Sequence, residues 1–388
     1  MRFNDPIGQC HELRRDSHES LILSIGVLDS RILHSYLIGA AKWDLSFSWD
    51  GAAHRTGYER EPRFRPDQHA TWADLSNGRV GDNALPMLGR LGKPWFVYRP
   101  TQLLRRVRAG LRPPGPGYVP LMTSWGITVR ADPTKMMGHA ILTTGVHDLA
   151  LSEMLVRLID PGDTVVDVGA NIGYTTVLMA VATGLSGRVI AFEPHPELVT
   201  ILRENVKAAR QRAPLGLTEV HELALSDRAG TAELELPSDF TSNDGVARIA
   251  PNSGGHTPSL TVPIDTIDNV LRGGAITVLK IDIEGHEAQA FRGGSTMLGS
   301  HQIRHVIFED HDVENSEVVG LLEGHGYRIL SFGWSLRGLE LAPVRARSLA
   351  KTYESPNFVA TLLPDDIIER CTARGWRVLS HRFIHRPA

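Results

Sequence analysis

Only two cysteines, Cys10 and Cys371, occur in the 388 residues, and they lie far apart. No disulfide framework or thiolate zinc site therefore organises the fold. Charge of one sign is lacking as well: 41 basic residues face 44 acidic ones, a net charge of −3. That balance gives no electrostatic case for nucleic acid or an anionic membrane as a partner. No apolar run approaches the ~18 residues of a membrane span. The first residues, Met-Arg-Phe-Asn-Asp-Pro, are followed by acidic and His-rich stretches rather than the apolar core of a secretory signal. The expectation is a soluble, cytoplasmic protein without a membrane span. Hydrophobic residues form 42% of the chain, ample for a buried core. The length suits two or three domains, or one large α/β domain with an extension.

What is present is organised around residues 163–176, Asp-Thr-Val-Val-Asp-Val-Gly-Ala-Asn-Ile-Gly-Tyr-Thr-Thr. Thr164–Val168 is a short, apolar, β-branched run suited to a buried parallel strand. It ends in Asp167-x-Gly169-x-Asn171-x-Gly173, and a helical pattern over 173–182 begins at once. Such a turn lets a ligand approach bare backbone at a positively polarised helix N-terminus. The dinucleotide fingerprint is missing, because Asn171 stands at the middle glycine and Asp167 closes the strand. A carboxylate there repels a pyrophosphate and suits a ligand carrying an ammonium group. A second strand over 188–193 ends in Glu193-Pro194, twenty residues beyond Gly173. Glu193 is placed to accept hydrogen bonds from both hydroxyls of a ribose. Ammonium plus ribose without diphosphate describes S-adenosylmethionine.

From 163 onward strands and helices alternate, the signature of a doubly wound, Rossmann-like α/β fold. A helix over 196–210 leads to a strand over 219–225, closed by Leu225-Ser226-Asp227. Ser226 and Asp227 either bond an adenine amino group or form a plain turn before Gly230. Added strands over 231–236 and 260–264 flank a polar stretch, Ser238–Ser259, read as a mobile substrate loop or plain disorder. The run Val278-Leu-Lys-Ile-Asp-Ile-Glu-Gly-His-Glu287 is a buried strand with Lys280 at its edge of burial. Asp282 and Glu284 are two apart, so in extended conformation both project to one face. Gly285 turns the chain into a helix over 286–298 that Gly293-Gly294 interrupts. Two carboxylates at a strand end are costly in a core and should face a site or bond helix N-termini. His305–His311 repeats the design, with Glu309, Asp310 and His311 at the exit. Helix 315–323, a strand from Tyr327, a closing strand Asn357–Leu363 and a strand-like Trp376–Leu379 complete the chain.

Residues 1–110 are less legible. Leu21–Leu37 suits one or two helices, Trp43, Phe47 and Trp49 an edge strand or hairpin, and 51–70 a polar loop. Arg105, Arg106, Arg108 and Arg112 crowd a helix-like stretch that either meets an acidic partner or is a solvated face. Pro113-Pro-Gly-Pro-Gly117 stops it and marks a boundary between an extension, 1–117, and a main domain, 118–388, with its core over about 160–363. Gly126–Arg130 reads as a short strand and Asp148–Ile159 as an amphipathic helix.

With these residues in view, the chain resembles the class I S-adenosylmethionine-dependent methyltransferases, and among them the FkbM family. The likeness rests on Asp167-Val-Gly-Ala-Asn-Ile-Gly-Tyr174, Phe192-Glu-Pro-His-Pro-Glu197, Ala224-Leu-Ser-Asp227 and Leu279-Lys-Ile-Asp-Ile-Glu-Gly-His-Glu287, in that order. Weaker matches at Thr266–Asp268 and Val306–Glu309 extend it over about residues 125–363. The resemblance implies a seven-stranded, mostly parallel sheet with an antiparallel last strand pair. It implies O-methylation of a hydroxyl on a small molecule, natural product or glycan. The cofactor-binding set it suggests is Asp167, Gly169, Ala170, Asn171 and Gly173 at the methionine end, with Glu193 and Pro194 at the ribose. Ser226 and Asp227 would meet adenine, with Asp282 close by. Tyr174 either lines the methionine pocket or packs on the sheet. His286 departs from the family, which usually has a small residue there.

A hydroxyl is a poor nucleophile, so a base within hydrogen-bond reach helps it. Glu284 or His286 is the expected base, with Asp282 and Glu309 orienting the acceptor; His311 reads as a solvated strand-end residue. The spacing of Asp282, Glu284, Glu309 and His311 demands no metal, and none is expected. Two other readings stay open. One is a nicotinamide-dependent oxidoreductase, against which Asn171 and Asp167 argue. The other is a non-catalytic S-adenosylmethionine-binding module, with residues 1–110 mediating association between copies of the chain.

Overall fold

The computed structural model describes residues 93–380, apart from 238–239, 241–242, 244, 246, 250–257, 347–348 and 350–354. The expectations for Leu21–Leu37, for Trp43, Phe47 and Trp49, for 51–70 and for most of Ser238–Ser259 lie outside the described residues. In chain order the elements begin with α1 (Pro94–Val97), α2 (Thr101–Leu111), β1 (Val119–Met122), β2 (Thr128–Ala131), α3 (Met136–Thr144) and α4 (Leu149–Leu158). The alternating part runs β3 (Thr164–Val168), α5 (Tyr174–Thr183), β4 (Arg188–Phe192), α6 (Pro196–Arg210) and β5 (Leu217–His221). An interruption comes next, with β6 (Ala224–Leu225), β7 (Gly230–Glu235), β8 (Arg248–Ile249), β9 (Ser259–Asp265) and α7 (Ile267–Val270). Then come β10 (Ile276–Ile281), α8 (Glu287–Arg292), α9 (Ser295–Gly299), β11 (Ile303–Glu309) and α10 (Glu317–Gly324). The chain closes with β12 (Arg328–Ser335), β13 (Gly338–Pro343), β14 (Asn357–Thr361) and α11 (Pro364–Thr372).

The main sheet has eight strands in the order β13-β12-β14-β11-β10-β3-β4-β5. Its centre is built from aliphatic residues buried on both faces, as parallel strands under two helix layers must be: Val165, Val166 and Val168, then Val278, Leu279 and Ile281, each run broken once, by Asp167 and by Lys280. β3, β4, β5, β10 and β11 are mutually parallel. β14 slots antiparallel between β11 and β12. These are the seven strands and the antiparallel closure implied by the resemblance; β13 adds an eighth, paired antiparallel to β12.

Two local expectations are corrected, and the break expected in a third element is found. The strand expected over 219–225 divides: β5 ends at His221 in the main sheet, and Ala224–Leu225 joins β9 in a separate four-stranded sheet, β6-β9-β7-β8. The helix expected over 286–298 is two short helices, α8 and α9, parted at Gly293-Gly294. Trp376–Leu379 is no strand. Its backbone N–H groups are taken by a buried carboxylate instead, Arg377 and Val378 donating to Glu153 at 3.0 and 2.9 Å.

The helices preceding the Pro113–Gly117 run pack on the same body as the residues beyond it. Trp95 is buried edge-on against Trp334 at 5.2 Å between centroids, Gln102 is buried, and Arg99 donates to the Ser124 carbonyl. Two of the crowded arginines also make contacts with neighbouring segments. Arg105 donates to the Met122 carbonyl at 3.2 Å, and Arg106 lies over the Phe96 ring. Among the described residues no helix is long and apolar enough to cross a membrane.

Glu153 and Arg157 form a fully buried ion pair at 2.8 Å, and Arg157 also donates to the carbonyls of Arg370 and Gly375, both at 2.8 Å. Removing one partner leaves the other charged and unpaired, a cost of about 3–5 kcal/mol. Glu153→Ala is therefore expected to lose at least about 3 kcal/mol in urea unfolding, and a loss under about 1 kcal/mol would contradict this account.

Candidate active site

The carboxyl ends of β3, β4, β10 and β11 open into one cavity of about 400 Å³. Its floor depends on a close backbone approach. Gly169 has φ +72°, and a Cβ built on it would lie 1.9 Å from the Asp282 carbonyl oxygen. Only glycine allows the exits of β3 and β10 to touch in this way. Gly173 caps α5 with φ +85°, where a Cβ would strike Leu202 Cδ1 at 2.3 Å, so glycine also lets α5 tuck against α6.

Glu193 closes β4 and is 5% exposed. Its carboxylate receives two backbone N–H groups, from Asn171 at 2.8 Å and from His195 at 2.9 Å. Burial nevertheless pushes its pKa up to about 7, against the pull of those two donors and of Lys280.

Lys280 lies in the middle of the floor, in register with Asp167 on the neighbouring strand. Its Nζ stands 3.5 Å from Asp167 Oδ1 and 3.7 Å from Asp282 Oδ2. It also donates to the Gly169 carbonyl at 3.0 Å and the Val168 carbonyl at 3.4 Å. Burial works against its charge, but Asp167, Asp282 and Glu309 outweigh that and leave its pKa above the usual lysine value. Glu309 ends β11; burial and the neighbouring Asp282 raise its pKa well above the ordinary carboxylate range, while Ser355 and Lys280 pull the other way.

Of the residues expected from the sequence, Gly169, Ala170, Asn171, Glu193, Pro194, Asp282, Glu284, His286 and Glu309 all line the cavity. Asp167, Gly173, Tyr174, Ser226 and Asp227 are not among its lining residues. Asp167 is fully buried: Thr175 and Thr176 donate to its Oδ2 at 2.8 and 2.6 Å, and Oδ1 faces Lys280. Tyr174 packs in the core, its ring edge-on to Trp125 and His147 and its hydroxyl 3.1 Å from Ser152 Oγ. Ser226 stands behind His286, 2.9 Å from its Nε2, and Asp227 pairs with Arg228 at 2.9 Å. Asp282 and Glu284 both reach the cavity, though not by strand alternation. The strand ends at Ile281, and Glu284 takes a left-handed conformation, φ +55°. The turn, closed by the Ile283 N–H donating to Glu287 at 2.9 Å, aims both side chains. The loop beyond β7 reaches the same point: a Cβ on Gly245 would lie 3.8 Å from Glu284 Oε1 and 3.9 Å from Asn171 Nδ2.

The central place of Lys280 is not among the sequence expectations. The available signal is a lysine inside an otherwise apolar buried strand, a position tolerated only with a charged partner. The contribution of α3, which lines the cavity through Met136, Met137, Ala140 and Thr144, carries no sequence signal of its own. Among the described residues, no three His, Cys, Asp or Glu side chains are grouped to hold a metal ion.

Residues 167–329 match the profile of the methyltransferase FkbM domain. The 31-O-demethyl-FK506 methyltransferase FkbM of Streptomyces tacrolimicus is 34% identical over 221 residues, covering 49% of this chain and 82% of that protein. This chain belongs to the FkbM methyltransferase family. It is also similar to the hexuronic acid methyltransferase AglP of Haloferax volcanii, 29% identical over 185 residues, covering 46% of this chain and 70% of that protein. A crystal structure of the methyltransferase FkbM from Methylobacillus flagellatus aligns at 15% identity and a TM-score of 0.35. The alignment covers 52% of this chain and 44% of that one. The FkbM chain is thus an S-adenosylmethionine-dependent methyltransferase, which sets aside the oxidoreductase and non-catalytic readings.

A carboxyl group whose folded pKa lies above its unfolded value stabilises the fold while protonated and loses that contribution as pH rises through the folded pKa. For Glu193 the window runs from about 4.5 to about 7. Between pH 5 and pH 8 the ligand-free protein should therefore lose thermal stability, and Glu193→Gln should flatten the decline by a few degrees in Tm. An unchanged slope would refute the buried-carboxyl assignment.

Proposed function

We propose that this FkbM enzyme transfers a methyl group from S-adenosylmethionine to a hydroxyl of a sugar or natural-product acceptor. One observation carries the reading. A single cavity joins the buried Glu193 at the end of β4 to Asp282, Glu284, His286 and Glu309 at the ends of β10 and β11. The donor set suits the cofactor. After accepting one backbone N–H each, the two Glu193 oxygens keep lone pairs for a vicinal diol. Bare backbone at Gly169–Asn171 suits close approach of an amino-acid tail, and Asp282 is the carboxylate that reaches the cavity to meet its ammonium. In this reading Asp167 acts from behind, as the buried partner of Lys280 and the first turn of α5.

When bound, S-adenosylmethionine supplies an electrophilic methyl group, the carbon–sulfur bond breaking with its electron pair kept by sulfur as the oxygen–carbon bond forms. The chain's own residues position the acceptor and take its hydroxyl proton. His286 is one candidate base. Burial lowers its pKa, with Asp227 pulling up and Arg228 down, so the imidazole is neutral and able to accept near neutral pH. The tautomer in which Nε2–H donates to Ser226 leaves Nδ1 free for that task. Glu284 is the other candidate, held at the mouth in a left-handed conformation that glutamate rarely adopts and that tends to mark functional sites. Glu309, holding its proton near neutrality, and Asp282 orient the acceptor oxygen. A hydroxyl acceptor is supported by the relative named for a 31-O-demethyl substrate, and a sugar by the one named for a hexuronic acid. Cytoplasmic location and association between copies through residues 1–117 belong to the same proposal; a monomer by light scattering on the full chain would remove the latter.

Calorimetry on the purified protein should register both S-adenosylmethionine and its demethylated product, with binding weakened at least tenfold in Glu193→Ala. No heat from either ligand would defeat the proposal. Glu284→Gln or His286→Ala should lower kcat by ~10²-fold or more, the contribution typical of a positioned base. Near-wild-type turnover in both variants would reject the two candidates.

A further inference from the structure

His286 is where this chain departs from the FkbM pattern, and it is held from behind by a segment outside the cavity. Ser226 follows β6 and is buried. Its backbone is pinned at two points. Its N–H donates to the Asp265 carbonyl at 2.9 Å, and a Cβ built on Gly293 would lie 2.0 Å from its carbonyl oxygen. Gly293 ends α8 and His286 begins it. The helix therefore meets Ser226 at both ends, through bare backbone at Gly293 and through the His286 side chain. A glycine is needed at 293 for so close an approach.

The hydrogen bonds behind His286 have a direction. Ser226 Oγ lies 2.9 Å from His286 Nε2 and 3.4 Å from Asp227 Oδ1. A carboxylate only accepts, and a serine hydroxyl has one proton to give. The Ser226 proton is thus directed to Asp227, and its oxygen accepts from Nε2–H. That assigns the neutral imidazole one tautomer, with Nδ1 unprotonated. The 3.4 Å separation is long for an O–H···O bond, and catalytic bonds of this kind tighten when substrate and charge arrive.

Charge follows the same path. Methyl transfer removes a positive charge from sulfur and, once the hydroxyl proton is taken, places one on the base. Burial works against a charged His286; Asp227 favours it and Arg228 opposes it, both from the exit of β6. On its own turn the neighbouring carboxyls are Glu284 and Glu287, the latter accepting from the Ile283 N–H.

We propose that Asp227, Ser226 and His286 form a hydrogen-bonded relay that fixes His286 as a base acting through Nδ1. Ser226 and Asp227 are then positioning residues rather than adenine contacts. The proposal rests on the methyl-transfer reading above. As the oxygen–methyl bond forms and the carbon–sulfur bond breaks with its electron pair on sulfur, the hydroxyl proton goes to Nδ1. Nε2 keeps its own proton, shared with Ser226, and no proton reaches Asp227.

NMR of the full-length protein carrying nitrogen-labelled histidine reads tautomer and titration directly, His286 being the signal missing from His286→Ala. The neutral ring should carry its proton on Nε2, and Ser226→Ala should lose that preference. Asp227→Asn should lower the measured pKa of His286 by at least about 0.5, and Arg228→Ala should raise it. The Asp227 and Arg228 side chains are 34% and 68% exposed, so these two variants carry the test even where Ser226→Ala folds poorly. In the Ser226→Ala background the Asp227→Asn shift should shrink at least about twofold, because the effect passes through the hydroxyl. Adding S-adenosylhomocysteine, the demethylated product, should leave the tautomer and the coupling in place. A proton on Nδ1, no shift in Asp227→Asn, a shift that is the same with and without Ser226, or loss of the tautomer when the adenine-bearing ligand binds would each overturn the relay. Calorimetric silence toward that ligand would instead strike the methyl-transfer reading beneath it.

Discussion

Between the two central strands an ammonium group and a carboxylate are buried face to face, and the cavity floor is built on that contact. Lys280 on β10 and Asp167 on β3 share one register, with 3.5 Å between their charged atoms. Either charge alone at that depth would cost several kcal/mol. Together they are tolerable because further hydrogen bonds surround them. Thr175 and Thr176 donate to the carboxylate, and the Val168 and Gly169 carbonyls accept from the ammonium. The pair therefore fastens the end of β3, the start of α5 and the end of β10 into one unit. The backbone contact between Gly169 and Asp282 lies inside that unit.

The same lysine sets the electrostatics of the cavity. Its charge reaches Asp282, Glu309 and Glu193, and it opposes the rise in the pKa of the two glutamates without cancelling it. Burial is the largest cause for both, and a second carboxylate near each, Asp167 and Asp282 respectively, adds to it. The result is a set of carboxyl groups that hold protons close to neutrality, at strand ends where a hydroxyl acceptor would lie. Closure of the sheet contributes too. Insertion of β14 beside β11 brings Asn357 to Asp148 and Ser355 to Glu309, so the start of α4 and the start of β14 meet at the exit of β11.

Much of this is legible in the residues. The strand, glycine turn and helix at 163–176 can be read because β-branched apolar residues, glycines and helical periodicity change abruptly there. Asp282, Glu284, His286 and Glu309 stand out because ionisable residues closing apolar strands are too costly to bury without purpose. Asp167 is the exception. Its position at a strand end is a sequence property, but its orientation toward Lys280 depends on β10, more than a hundred residues away. Ser226 suggests an adenine contact by its place after β6, whereas its hydroxyl contacts His286, brought there by the turn at Gly285.

Local pattern was thus sufficient for the alternation of strands and helices, the glycine turn and the identity of the acidic strand ends, because each arises from chemistry within a few residues. Family membership came from the order of those blocks. Packing between distant segments decided which carboxylates face the cavity, which one is sealed beneath it, and that a helix with an apolar face forms its other wall. Direction of a side chain at a strand end is fixed by what lies across the sheet, and no window of sequence contains that neighbour.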